Sequence, residues 1–174
     1  MFVARSRSVM VGLVWMALTL LLGSTSASYS EFPSEMSWVA ENEAVWADES
    51  SLTVTSSGLS YHLLERSGEG APVSRGQAVK VLYKLFLKDG HKHIYSQSNV
   101  REAFSMKAGG GGVIKGFDEA ISLMHIGDRG RFLMPADIAY GKSGASGFGI
   151  PGGATLEYYL ELRDANGRLP NGDL

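Results

Sequence analysis

Gly141-Lys142-Ser143, with Ala136 five residues ahead of the glycine, misses the phosphate-binding pattern GxxxxGK(S/T) by one residue, since Ala136 stands where the first glycine belongs. Such a loop works because its amides lead directly into a helix whose first turn carries the Lys and the Ser. Here Gly141–Gly153 holds six glycines and Pro151, and each interior glycine costs a helix about 1 kcal/mol. No helix is expected to start there, so the nucleotide reading is set aside. Gly109–Gly112 fails in the same way, because no Lys-Ser follows it. His91 and His93 have a metal-like spacing, but no carboxylate or cysteine completes a ligand set, and a solvated hairpin tip is expected. Ser143 has no nucleophile elbow around it. Neither a metal nor a cofactor is expected.

The composition narrows the classes further. The chain has 174 residues, 44% hydrophobic and 20% charged, and a net charge of −2 without a basic block. A nucleic-acid partner is therefore not expected. There is no cysteine, which excludes disulfides and thiolate chemistry. Arg5 and Arg7 precede an apolar run, Val9–Leu22, and the small residues Gly23–Ala27 follow. These are the three parts of a secretory signal peptide over 1–27, and the run is shorter than the roughly 20 residues that span a bilayer. An uncleaved membrane anchor is the alternative. Cleavage after Ala27 takes away two of the 16 basic residues and none of the 18 acidic ones, leaving an acidic exported protein with no membrane contact. Periplasm or extracellular space is the expected location, and a eukaryotic secretory lumen is the other.

The elements that must position any site follow from periodicity. Residues 28–58 are expected to hold a tether and one short amphipathic helix, Ser37–Asp48, with Trp38, Val39, Val45 and Trp46 on one side. That helix either packs on the domain or joins two copies, giving a monomer or a weak dimer. Leu59–Leu63 alternates, closed by Ser67–Gly70. Val79, Val81, Tyr83, Leu85 and Leu87 then share one face of a strand, with Lys80, Lys84 and Lys88 on an opposite face read as mostly wet. Asp89-Gly90 reverses the chain, leading to Ile94-Tyr95 and Ala103–Lys107. Phe117, Ala120, Ile121 and Met124 form a helical stripe, with Gly127 as the expected left-handed cap. Phe132 and Met134 alternate with Arg131 and Leu133, and Pro135 stops the run. After the Gly-rich loop, Leu156, Tyr158, Leu160 and Leu162 point one way, and Glu157 and Glu161 the other. One short helix among antiparallel-type strands is an α+β domain in which a curved sheet wraps the helix. The domain is bounded at 59–164, with a flexible tail at 165–174.

The run Val113-Ile-Lys-Gly116-Phe117-Asp-Glu-Ala-Ile-Ser-Leu-Met124-His-Ile-Gly127 resembles the pattern V-I-x-G-W-x-x-x-(I/V)-x-x-M-x-x-G of FKBP-type peptidyl-prolyl isomerases. The likeness continues through Pro135–Gly141, Ile150-Pro151 and Ala154–Tyr158. Upstream it includes Gly58-Leu59-x-Tyr61, Val81-x-Tyr83 and Leu87-x-Asp89-Gly90. It spans about Leu59 to Arg163, and Trp38–Asp48 is similar to the lead-in helix of the macrophage-infectivity-potentiator branch. The resemblance implies rotation of Xaa-Pro amides of exported proteins in an aromatic pocket. Proline-containing polypeptides would be the substrates and macrolides the inhibitors. It places the proline ring on Phe117, with Tyr83, Phe104, Val113, Ile114 and Tyr158 as walls, Ile150 at the loop edge, and Ile94 and Met106 at positions usually aromatic. The backbone N–H of Ile114 and the hydroxyl of Tyr140 would each donate to a substrate carbonyl.

This chain departs from the family pattern at three points. Tyr95 stands where an aspartate usually follows the residue at Ile94, which is expected to lower activity or change the preferred residue before proline. Phe117 replaces Trp. The loop Gly144–Pro151 carries one extra residue, with Gly149 in place of an aliphatic, and is expected to form a mobile flap. The alternative function is a catalytically weak FKBP-like module that binds proline-containing or unfolded segments.

Overall fold

The computed structural model describes residues 36–64 and 73–170. The leader expected over 1–27, most of the tether and the turn at Ser67–Gly70 lie outside the described residues. Seven strands form one antiparallel, curved sheet: β1 (Thr53–Val54), β2 (Ser60–Leu63), β3 (Ala78–Leu87), β4 (Lys92–Gln97), β5 (Phe104–Lys107), β6 (Arg129–Met134) and β7 (Leu156–Arg163). The order is β1-β2-β6-β7-β3-β4. β5 and β4 share the outer edge of β3, with β5 against Ala78–Val81 and β4 against Tyr83–Leu87. β3 is rich in Val, Leu, Tyr and Phe, the residues that suit a pleated, half-buried surface, and so three strands can use it as a spine.

The helix α3 (Lys115–Leu123) packs on one face of this sheet. Its Phe117, Ala120 and Ile121 join Val79, Val81, Leu85, Phe132, Met134, Leu156, Tyr158, Leu160 and Leu162 in the main core. These are the inward residues that the alternation marks out. The cap differs from expectation. α3 ends as Met124 turns extended (φ −98°, ψ 154°). Gly127 does adopt φ +94°, but in the following turn, where its N–H donates to the Leu162 carbonyl at 2.7 Å.

The second face of the sheet is largely covered, while Lys80, Lys84 and Lys88 on it stay half-exposed. A second cluster buries Leu82 of β3 and Tyr159 of β7 beneath Met36, Trp38 and Trp46. The segment expected as one helix is two short pieces, α1 (Trp38–Glu41) and α2 (Glu43–Ala47). They are broken at Asn42, whose side-chain amide donates to the Trp38 carbonyl at 2.8 Å, so that the Asn competes with the helical ladder for a backbone acceptor. Trp38 and Trp46 stack edge-on with each other and with Tyr159, while Val45 is left exposed.

Glu157 and Glu161 lie under this cover, 2% and 0% exposed. Glu157 accepts from Arg131, from the Tyr159 hydroxyl (3.0 Å) and pairs with His91 (2.8 Å). Glu161 accepts from the Trp38 indole (3.0 Å), from Arg129 (3.0 Å) and from Arg163 (2.7 Å). Alternation reports polar against apolar and cannot tell a solvated face from one whose charges are paired under a lid. Past β7, the Asp164 side chain accepts the amides of Asn166 and Arg168, and the Gly167 carbonyl accepts from Arg163.

Candidate functional site

The residues that the sequence singles out meet on the α3 side of β3 and β7. Tyr83 comes from β3, Phe104 from β5, Tyr158 from β7, Val113 and Ile114 from the approach to α3, and Phe117 from its first turn. With Tyr140 and Gly112 they line a hollow of about 200 Å³. Phe117, 4% exposed, is its floor. Tyr158 meets the Phe117 ring at 5.3 Å and 78°, Tyr83 at 5.9 Å and 81°, and Phe104 at 6.2 Å and 85°. Three rings stand almost perpendicular to a fourth, an edge-to-face geometry that satisfies the aromatic quadrupoles and fixes the box without polar contacts.

Two of the lining residues, Ile114 and Tyr140, carry donors without a partner among the described residues. Ile114 is the residue before α3 (φ −59°, ψ 149°). Its carbonyl accepts from Phe117 and Asp118, whereas its N–H has no backbone partner among the described residues. Tyr140 follows a short 3-10 turn, Ala136–Ile138, that starts where Pro135 ends β6. The turn is pinned by buried Ile138 and by the Gly141 N–H, which donates back to Ala136 at 2.8 Å. The Tyr140 hydroxyl makes no hydrogen bond to another described residue. Burial pushes the Tyr158 hydroxyl up from its ordinary pKa, with smaller contributions from Tyr140 and Tyr83. Burial likewise raises Tyr83, helped by Tyr95 and Tyr140. The walls thus stay neutral at physiological pH. A neutral apolar box with two free donors can hold a flat ring and orient carbonyls; it has no group suited to proton transfer near pH 7.

Four of the expected site residues lie outside this hollow. Tyr95, 49% exposed, leans on Tyr83 at 5.9 Å, and its hydroxyl donates to Gln97. Ile94 packs, half-buried, against the main core. Ile150 is 2% exposed within that core and is not among the residues that line the hollow. Met106 borders a neighbouring hollow with Phe104 and Val113.

The Gly-rich loop is tied rather than free. Ala145 and Ile150 exchange backbone hydrogen bonds of 2.8 and 3.1 Å, and the Gly153 N–H donates to Gly141 at 2.9 Å. A Cβ on Gly152 would sit 2.0 Å from the Lys142 carbonyl oxygen. That glycine is there for close backbone approach. Gly152→Ala is expected to destabilise the chain by about 1–3 kcal/mol, as overpacking does, and to lower its thermal midpoint in a calorimetric scan. An unchanged midpoint would show that the loop opens without penalty. His91 and His93 turn to different partners, Glu157 and Ser96.

Residues 69–163 match the family model for FKBP-type peptidyl-prolyl cis-trans isomerase. The chain belongs to the FKBP-type peptidyl-prolyl cis-trans isomerase family. It is 35% identical over 100 residues to the peptidyl-prolyl cis-trans isomerase FKBP12 of Arabidopsis thaliana, covering 56% of this chain and 89% of that one. It is 35% identical over 120 residues to the FKBP-type isomerase FkpA of Aeromonas hydrophila, covering 68% of this chain and 42% of the relative. The crystal structure of FkpA from Escherichia coli superposes with a TM-score of 0.59 at 31% identity, over 75% of this chain and 62% of that one. The curved sheet around α3 is the FKBP fold.

Two residues of this FKBP site escape a reading of the sequence. Gly112 contributes wall without a side chain. Asp118, one residue past the floor, accepts from the Gly109 N–H at 2.7 Å and the Gly111 N–H at 3.2 Å, tying the four-glycine run to α3. An acidic residue in a helix's first turn beside a run of amides that need acceptors was the available signal.

Proposed function

We propose that the chain isomerises Xaa-Pro bonds of exported polypeptides, with the proline ring on Phe117 and carbonyls received by Ile114 N–H and the Tyr140 hydroxyl. The observation that carries this is the box of perpendicular rings with two unengaged donors at its edge. The prolyl amide resists rotation by about 20 kcal/mol because its C–N bond is partly double. That resonance form is charge-separated, and apolar walls favour it less than water does. Transfer into the box therefore weakens the C–N double-bond character, and each ~1.4 kcal/mol removed speeds rotation tenfold. A donor aimed at the carbonyl holds one side of the bond while the other turns. No covalent bond breaks, so the absence of an acid–base pair is no obstacle. Macrolide ligands of the family would compete for the same hollow. The leader pattern over 1–27 supports export to the periplasm or beyond. Trp38 and Trp46 are spent within the chain, which supports a monomer.

The test is the cis–trans exchange rate of a Xaa-Pro peptide measured by exchange NMR. Micromolar protein is expected to accelerate it, and Tyr140→Phe to reduce kcat/KM by about tenfold, the worth of one hydrogen bond to a neutral acceptor. An unchanged rate in Tyr140→Phe would remove the hydroxyl from the scheme. A second reading, a module that holds proline-containing or unfolded segments with little catalysis, is favoured by the exposure of Tyr95, Phe104 and Phe148 at 49%, 37% and 69%. Binding of an unfolded protein without acceleration of any peptide would decide for it.

A further inference from the structure

A second hollow of about 260 Å³ adjoins the first and shares Phe104, Gly112 and Val113 with it. Met106 is its additional apolar wall, and Gly110 is part of its lining. Its volume is below the roughly 300–1,000 Å³ of small-molecule sites, so it has room for one large side chain. The glycines beside it have unequal reasons to be glycine. Gly109 (φ +68°) and Gly111 (φ +72°) need the left-handed region, and a Cβ on Gly110 would meet the Lys107 carbonyl oxygen at 2.9 Å. Gly112 is not in the left-handed region, and a Cβ there would meet nothing within 4 Å. The backbone makes no demand for glycine at 112. Gly112 is also the one glycine of this run that lines both hollows.

We propose that this side hollow receives the side chain of the residue following proline, and that Gly112 sets the preference for a large apolar group at that position. The inference rests on the isomerase reading. Two carbonyls flank the reacting bond. Proline's own carbonyl travels with the ring, which the box holds, while the preceding carbonyl swings as the bond rotates. The Ile114 N–H is fixed in the backbone at the start of α3 and suits the stationary carbonyl. The Tyr140 hydroxyl, on a rotatable side chain, suits the moving one. A chain leaving proline's carbonyl at Ile114 passes Val113 and Gly112, the wall common to both hollows. The next Cα lies about 3.8 Å from proline's own, which brings the following side chain towards Phe104 and Met106. Met106, unbranched and polarisable, adapts to aromatic as well as aliphatic occupants.

The experiment measures kcat/KM by exchange NMR for two peptide series with the full chain. One series varies the residue after proline (Ala, Leu, Phe) and the other the residue before it. The expected result is a preference of about tenfold for Phe over Ala after proline, the scale of apolar pocket discrimination. Gly112→Leu should abolish this preference and Gly112→Ala should reduce it. The inference alone is overturned by acceleration with no preference after proline, or by a preference that survives Gly112→Leu. A Gly112→Leu effect confined to the residue before proline would overturn it as well. No acceleration of any peptide by the unaltered chain overturns the isomerase reading, and this inference with it.

Discussion

Phe117→Ala is expected to lower kcat/KM for prolyl exchange by about 100-fold, the largest catalytic effect of any single side chain in the site. Fully burying an apolar side chain is worth about 1.5–3 kcal/mol, and in the proposed mode of binding the floor of the box gives the proline ring most of its contact. Losing nearly 3 kcal/mol of that at the transition state corresponds to two powers of ten. The same ring supports three others at 5.3, 5.9 and 6.2 Å, so its removal also loosens the walls. Because Phe117 is buried, truncation should cost the fold about 3–5 kcal/mol as well. Activity must therefore be read well below the melting transition, with near-UV circular dichroism to establish that the variant is folded. Phe117→Leu separates the two effects. It keeps most of the volume and should restore most of the stability, yet it offers no flat face and should leave a rate deficit of about tenfold. A folded Phe117→Ala with full activity would put the proline ring somewhere else.

How far the sequence carried this site is seen by comparing Phe117 with Gly112. Phe117 belongs to a stripe at helical spacing and to a motif, and both mark it before any coordinates exist. The walls Tyr83 and Tyr158 were likewise legible as inward positions of alternating strands. Gly112 is one of four identical neighbours, and only the φ angles and the surrounding space distinguish it from Gly109, Gly110 and Gly111. Ile150 is a different case. Its place in a motif suggested a pocket edge, while the course of its loop depends on ties such as Ala145–Ile150 that leave no periodic trace. The second face of the sheet was misread for a third reason. Its Glu, Arg and Lys residues carry the polar signature of solvent contact, and the Trp pair that covers them sits far away in the chain.

That covered face gives an expected effect on stability as large as that of Phe117→Ala, without the loss of activity. Glu161→Ala should lower the free energy of unfolding by about 3–5 kcal/mol, the usual consequence of removing one partner from a buried ion pair. Glu161 has no exposure at all, and Arg163 beside it is 4% exposed. The Arg163 guanidinium would keep the Gly167 carbonyl but lose its carboxylate while still shut away from water. Arg129 is 36% exposed and can turn to solvent, so its contribution to the loss is small. The Trp38 indole N–H would be left without an acceptor, adding to the penalty. Urea titration monitored by Trp fluorescence reads both the stability and the cover, since Trp38 and Trp46 report on it directly. Glu161→Gln should lose less than Glu161→Ala, because an amide oxygen still accepts from the indole and from one guanidinium. Equal losses would show that charge, rather than hydrogen bonding, holds the cover. The aromatic hollow lies on the other face of β7. Below the transition, both variants should therefore keep kcat/KM close to that of the unaltered chain, whereas Phe117→Ala loses it while still folded. If Glu161→Ala abolished exchange without unfolding, the two faces of β7 would have to be coupled through Tyr158 and Tyr159, which are adjacent on that strand and point to opposite sides.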